Sequence, residues 1–165
     1  MGYNEWIKFK QLHQHREYGL KEIRTEIDIK ASPEKTWEVL TDFNSFPKWN
    51  PFIRQICGTP KVGSNLQIHL HTSSGRSRTY RPTVTKVEPH LELRWYGKFF
   101  IPGMFNGERI FTIEPLKANH VRFVHMEIFT GFAVALAGNR LDKDMCQSFA
   151  MMNNALKERV EQTFT

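Results

Sequence analysis

Between Glu22 and Lys30 the chain alternates strictly, Ile23, Thr25, Ile27 and Ile29 against Arg24, Glu26, Asp28 and Lys30. A period of two predicts a strand with one face buried. The pattern changes at "SPEKTWEVLTDFNSFPKWNPFI", Ser32 to Ile53. Ser32 is a cap former, Pro33 suits the first helical position, and Trp37, Leu40 and Thr41 share one face at helical spacing. "DFNSFP" then joins cap formers to a proline expected to push Phe46 out of the α region, so the helix ends there. A second helical turn starting near Asn44 is stopped at Asn50-Pro51. The run predicts two short helices meeting at a bend crowded with aromatics.

Six further strands follow, separated by turn signals. They are "IRQICG", "NLQIHLHT", "RTYRPTVTKVEP", "LELRWYGKFF", "ERIFTIEPL" and "VRFVHMEIFTG". Short connections such as "KANH" make neighbours antiparallel, and Pro82 marks a bulge or an edge-like stretch within its strand. From Asn139 the period becomes helical: Leu141, Met145, Phe149, Met152, Leu156 and Val160 recur every three or four residues, with Lys143, Lys157, Arg159 and Glu161 opposite. Strand, two short helices, six strands and a long helix predict an α+β domain of seven antiparallel strands with the helix packed across the sheet. Residues 1–19 are polar with scattered aromatics and read as an extension; residues 20–165 form the domain.

At 165 residues the chain has room for one substantial core. Thirteen Phe and four Trp make that core one of wide, flat side chains, suited to filling an interior or to lining a cavity completed by a ligand. The net charge is +6, but the basic residues read as spread along the chain, with no arginine-rich block and no zinc or RNA-binding pattern. A solvated surface is the expectation, not a nucleic-acid site. Cys57 and Cys146 fit no metal spacing and are expected as reduced, partly buried thiols. No segment approaches the ~20 apolar residues that span a bilayer, and no signal core is evident, so a cytoplasmic protein without stable membrane insertion is expected. His69 and His71 alternate with Ile68 and Leu70, which puts the histidines on the solvent face; neither a metal nor a cofactor is expected. No nucleophile elbow, phosphate loop or dinucleotide motif is present.

Three stretches together, "ASPEKTWEVLTDFNSFPKWNPFI", "LELRWYGKFFIPGMFNGERIF" and "HMEIFTGF", resemble the START-like superfamily, the polyketide cyclase/dehydrase and lipid-transport group. The resemblance covers roughly residues 20–163. It implies a helix-grip fold, a strongly curved antiparallel sheet wrapped around the C-terminal helix. It also implies that Trp37, Phe43, Phe46, Trp49 and Phe52 plug one end of the grip. Carriers, cyclases and hormone receptors share this fold, so the resemblance leaves the reaction open.

Alternation supplies candidate site residues. Val121, Phe123, His125, Glu127 and Phe129 share one face of their strand; Arg109, Phe111 and Ile113, and Leu91, Leu93 and Trp95, are the matching sets on the two before it. Pairing across "KANH" sets Arg109 roughly opposite Glu127, and Phe111 opposite His125, with Trp95 near Arg109. Val124, Met126 and Ile128 make the opposite face equally apolar, so alternation alone leaves open which face is inner. The resemblance, through its "E-x-F-x-G" ending, favours the Phe123, Glu127, Phe129 face. There Arg109 and Glu127 must pair, Trp95 is placed to shelter the guanidinium, and His125 is a candidate proton donor or acceptor.

The expected pocket is apolar, bounded by Trp95, Phe111, Phe123, Phe129, Phe149 and one or more of Trp37, Phe46 and Trp49. Met145, Met151 or Met152 would adapt to the ligand's shape. The loop "IPGMFNG" would form the rim, with Gly103 and Gly107 as hinges and Met104 and Phe105 as cover. Three functions fit: a binder of a hydrophobic small molecule such as a lipid or an aromatic polyketide-like compound, an acid–base cyclase or dehydratase using His125, Glu127 and Arg109, or a cavity-free interaction module. The first is the expectation.

Overall fold

The computed structural model describes residues 19–99, 103–134 and 138–162. Strand β1 (Leu20–Ile29) leads into helix α1 (Pro33–Thr41), a 3-10 turn (Phe43–Ser45) and helix α2 (Phe46–Trp49). Strands β2 (Ile53–Cys57), β3 (Gln67–His71), β4 (Ser77–Tyr80), β5 (Thr83–Glu88), β6 (Glu92–Phe99), β7 (Phe105–Lys117) and β8 (His120–Thr130) follow, and helix α3 (Gly138–Gln162) ends the domain. The extension expected at residues 1–19 lies outside the described residues apart from Gly19, as do Ile101 and Pro102 of the expected rim.

The strands form a five-stranded antiparallel sheet, β1-β8-β7-β6-β5, and a three-stranded one, β2-β3-β4. The difference from seven strands arises at Arg81-Pro82, where "RTYRPTVTKVEP" divides into β4 and β5. Proline has no N–H for the ladder, so the strand leaves one sheet and enters the other. The two sheets remain stitched together: Leu66 N donates to Pro82 O (2.8 Å), Val84 N to Ser64 O (2.9 Å) and Gly63 N to Val84 O (2.9 Å). The result is the curved antiparallel surface of a helix grip.

The short helices form for the local reasons anticipated, with one correction. Ser32 Oγ accepts from Lys35 N at 3.3 Å and Pro33 opens α1. Phe46, however, is in the right-handed α region (φ −51°, ψ −43°) despite the proline after it. Pro47 sits in the first turn of α2, where its missing N–H costs no helical bond, and burial of the Phe46 ring holds the conformation. Asn50 then ends α2: its Oδ1 accepts from Phe52 N (3.0 Å) and Ile53 N (2.8 Å), turning the chain into β2.

Helix α3 presents Met145, Phe149, Met152, Leu156 and Val160 to the sheet, all buried. Polar ties fix its position along β1: Asn153 Nδ2 donates to Thr25 Oγ1 (3.0 Å), Lys157 Nζ to Asp28 O (2.8 Å), and Glu161 Oε1 accepts from Lys30 N (2.8 Å). Near its start, Asp144 accepts from the backbone and hydroxyl of Ser74 at 2.8 Å each. Met151 is on the solvent side, because helical spacing turns it away from its buried neighbour Met152; it is not a pocket residue. Cys57 is on β2 and Cys146 on α3, as expected, and both are free, but they are exposed rather than partly buried. Cys57 occupies the outer face of the small sheet and Cys146 the outer face of α3.

No helix among the described residues is long and apolar enough to cross a membrane.

Candidate functional site

The inner face of β6, β7 and β8 carries the predicted tier in the predicted register: Trp95 pairs with Arg109, Arg109 with Glu127, and Phe111 with His125. Glu127 also faces Ile23 on β1. Between β7 and β8 a register shift at Pro115/Lys117 follows the tight turn and sets this pairing, since a one-residue slip would turn every inner side chain outward. Trp95, Arg109, Phe111, Phe123, His125, Glu127 and Phe129 are all buried; of the outer alternates on β8, Met126 and Ile128 are half-buried and Val124, though buried, lies outside the core cluster.

Arg109 Nη2 donates to Glu127 Oε2 in an ion pair whose side chains are each 1% exposed. Burial alone would release the guanidinium proton more readily, but Glu127 and Tyr80 more than offset that and push the Arg109 pKa up. The cation–π partners differ from the expected Trp95. The Arg109 guanidinium carbon lies 4.9 Å from the Phe52 ring centroid and 5.1 Å from that of Phe149. Trp95 is instead held by Tyr80, whose OH accepts from its indole Nε1 at 2.9 Å. Burial and the nearby Glu127 push the Tyr80 phenol up to about 12, with Arg109 and the Trp95 bond opposing them.

His125 stacks on Phe149 at 3.8 Å between centroids and meets Phe111 at 4.7 Å. Burial, reinforced by the charge of Arg109, holds its pKa well below 6.5, with the Asn153 side chain acting in the opposite sense. The ring is therefore neutral at pH 7, a proton acceptor rather than a ready acid. Its two nitrogens, together with Arg109 Nε and Nη1 and Asn153 Oδ1, are buried without hydrogen-bond partners. Orphaned polar atoms of this kind are uncommon in native interiors and costly, about 1–3 kcal/mol each. Here they share one aromatic chamber.

The remaining aromatics continue outward from this tier. Phe43 meets Trp95 edge-on at 6.3 Å, Phe46 meets Phe43 at 5.6 Å, and Trp49 meets Phe46 at 4.9 Å. Trp37 is half-buried against His90, ring edge to ring at 6.4 Å. At the other end Phe105 packs on Phe129 at 5.1 Å. The rim is shorter than predicted, because β7 begins at Phe105 and pairs Gly107 with both Gly97 and Phe129. Gly107 is thus a strand residue and not a hinge. Met104, half-buried, is clamped: its carbonyl accepts from Ala133 N at 3.1 Å and lies 2.4 Å from where a Cβ on Gly131 would be. Gly131 has φ +130°, a conformation open to glycine, so the turn and the end of β8 are fitted to one another.

Phe52, Tyr80 and Asn153 complete the chamber and were not identified as its chemistry from sequence. Tyr80 comes from the smaller sheet, and no local pattern reports a contact between sheets. Asn153 did leave a signal: it lies four residues after Phe149, a polar side chain at a core spacing. At the tier itself the rings are in mutual contact. A ligand there must part them. An open depression of about 530 Å³ exists elsewhere, on the outer face of β2-β3-β4, lined by Arg54, His69, Leu70, His71, Ser77, Arg78 and Thr79.

A family model described as "Polyketide cyclase / dehydrase and lipid transport" matches residues 21–161, and the chain belongs to that family. Its fold is similar to that of an aromatase/cyclase, ZhuI from Streptomyces sp. R1128, with TM-score 0.73 at 14% identity over 88% of this chain and 96% of that one. A START superfamily protein from Mycobacterium smegmatis matches with TM-score 0.69 at 20% identity, over 86% and 98%. Norcoclaurine synthase from Thalictrum flavum matches with TM-score 0.65 at 12% identity, over 90% and 98%. At these identities the likeness establishes the fold alone. The sequence has no significant match among curated proteins.

Proposed function

We propose that this protein binds a hydrophobic small molecule, a lipid or an aromatic polyketide-like compound, inside the grip between the large sheet and α3. The observation that carries this reading is the set of unpartnered buried donors and acceptors on Arg109, His125 and Asn153, enclosed by Phe52, Phe111, Phe123 and Phe149. An apolar body would be held by burial, at about 25 cal/mol per Å² of apolar surface removed from water. An oxygen on the ligand would accept from Arg109 Nε or Nη1 and fix its orientation, while Glu127 keeps the guanidinium aimed. Membership of a family that includes lipid transport, and a fold shared with an aromatase/cyclase, support the same reading. Native mass spectrometry of the purified protein tests it, followed by titration with an environment-sensitive apolar naphthalene dye. A co-purified small molecule or 1:1 dye uptake displaced by hydrophobic competitors is the expected result. A ligand-free mass with no dye uptake overturns the reading and leaves an interaction module.

One observation favours a second reading, that of an acid–base cyclase or dehydratase. His125 is neutral, buried and unpartnered, as a general base in a dry site must be. With Arg109 placed to stabilise an enolate oxygen, proton abstraction next to a carbonyl is the chemistry it would serve. Turnover lost in His125→Phe while dye binding persists would select this reading.

A further inference from the structure

Asn153 interrupts the apolar stripe of α3 between Met152 and Leu156 and is buried with them. Its amide is oriented from β1. Thr25, paired with His125 across β1 and β8, directs its hydroxyl hydrogen to His125 O at 3.5 Å. The Thr25 oxygen therefore meets Asn153 with a lone pair and accepts from Nδ2 at 3.0 Å. Oδ1 is the end of the amide left over, a buried acceptor without a hydrogen bond.

His125 can supply what that acceptor lacks. A neutral imidazole has one N–H and one bare nitrogen. Turning the bare nitrogen to Oδ1 would set two lone pairs against each other in a dry interior, whereas turning the N–H there relieves both groups. The Asn153 side chain accordingly favours a proton on the ring, against burial and Arg109. The other ring nitrogen is then an acceptor that no protein group fills.

Arg109 and His125 are diagonal neighbours on β7 and β8, about 7–8 Å apart by strand geometry, close enough for one small group to touch both side chains. They also lie against the same two rings. The guanidinium carbon is 4.9 Å from the Phe52 centroid and 5.1 Å from that of Phe149; the imidazole centroid is 6.2 Å and 3.8 Å from them. Arg109 Nε and Nη1 have hydrogens to donate, and the charge is already balanced by Glu127. One hydroxyl satisfies both residues, because its oxygen accepts from Arg109 while its hydrogen goes to His125. An ether oxygen serves Arg109 alone. A carboxylate brings no hydrogen and adds a second negative charge beside Glu127.

We infer that the interior selects an uncharged ligand whose apolar body ends in a hydroxyl, and that Asn153 is the positioning residue that imposes this choice by holding His125 as an acceptor toward the ligand. The inference rests on the interior-binding reading proposed above and adds the chemistry of the ligand's polar end.

The probes are naphthalene and its hydroxyl, methoxy and carboxylate derivatives, substituted at one and the same carbon and titrated calorimetrically at pH 7. The naphthol should bind about tenfold tighter than naphthalene or the methoxy compound, and the naphthoate weakest, since an unpaired buried group costs more than a made bond gains. His125→Phe, which removes the acceptor, should cut the preference for naphthol over the methoxy compound to about threefold or less. Asn153→Leu should cut it as far for another reason: the freed ring can turn its N–H to the methoxy oxygen. Nitrogen NMR of the imidazole separates this from simple loosening, with one tautomer expected in the parent and a mixture in Asn153→Leu. The parent series needs no variant, so it decides the ligand class even where a variant is unstable. Equal binding of the naphthol and the methoxy compound, or tightest binding of the naphthoate, overturns the inference and leaves the interior-binding reading standing. A single tautomer and an undiminished preference in Asn153→Leu overturn the role of Asn153. Failure of all four to bind, naphthalene included, overturns the interior-binding reading as well.

Discussion

Arg109 on β7 and Glu127 on β8 are direct cross-strand neighbours whose ion pair is closed to solvent, over the faces of Phe52 and Phe149. Two charges removed from water lean wholly on each other and on those rings. Breaking the pair from one side leaves a buried charge with no counter-ion. Glu127→Ala should therefore cost about 3–5 kcal/mol in urea unfolding, and Arg109→Met/Glu127→Leu much less than either single change would lead one to sum. A loss below about 1 kcal/mol for Glu127→Ala would mean that water or a ligand group already compensates Arg109.

His125 makes stability depend on pH. Unfolded, its ring titrates near 6.5; folded, burial and the Arg109 charge hold it well below that. Between those values the unfolded chain binds one more proton than the native one. The contribution is fully present above 6.5 and is lost as pH falls toward the folded value, with a slope of at most about 1.4 kcal/mol per pH unit from this group. His125→Phe should flatten the unfolding free energy between pH 7 and 5 relative to the parent. Equal slopes in the two proteins would show that the ring is hydrated in the native state. Arg109, whose charge lowers the ring's pKa, stays protonated across that range in both the native and the unfolded chain.

The large features were legible in sequence because they repeat. Period two showed which residues share a face, the "KANH" turn showed that β7 and β8 are neighbours, and the change to helical spacing marked α3. The Arg109–Glu127 and Phe111–His125 pairs need one more fact: the turn, with Lys117 opposite His120, would set Arg109 opposite Ile128, and the register shift between Pro115 and Lys117 moves it onto Glu127. What stayed hidden depends on contacts between elements that no period records. Tyr80 reaches Trp95 from the other sheet, Phe52 crosses from the end of α2 to cover Arg109, and burial of Phe46 overrides the preference imposed by Pro47.

A buried hydrogen bond of 2.9 Å from Trp95 Nε1 to Tyr80 OH adds a side-chain link between the large sheet and the small one. Tyr80→Phe leaves the indole N–H buried and unpaired, and should cost about 1–3 kcal/mol of stability. Trp95 emission should shift as its hydrogen bond is lost, while the elements on either side keep their circular dichroism. In the parent protein one tyrosine should ionise only at about 12, read from the phenolate absorbance, and that step should be missing in Tyr80→Phe. An unchanged titration in the variant would place the phenol in water.

Phe123 separates the interior's two duties, packing and binding. Its ring is fully buried and stacks on Phe111 at 5.9 Å with only 16° between planes, one step from His125. Phe123→Ala should cost about 3–5 kcal/mol, because the transfer free energy is lost and the neighbouring rings only partly close the gap. Phe123→Leu, closer in volume, should cost about 1–2 kcal/mol and remain folded, which makes it the variant for binding studies. If the interior holds the ligand, Phe123→Leu should weaken uptake of the naphthalene dye several-fold and broaden its competitor range, since a flat wall has been replaced by a branched one. Unchanged dye affinity in a folded Phe123→Leu would place the apolar site outside the tier.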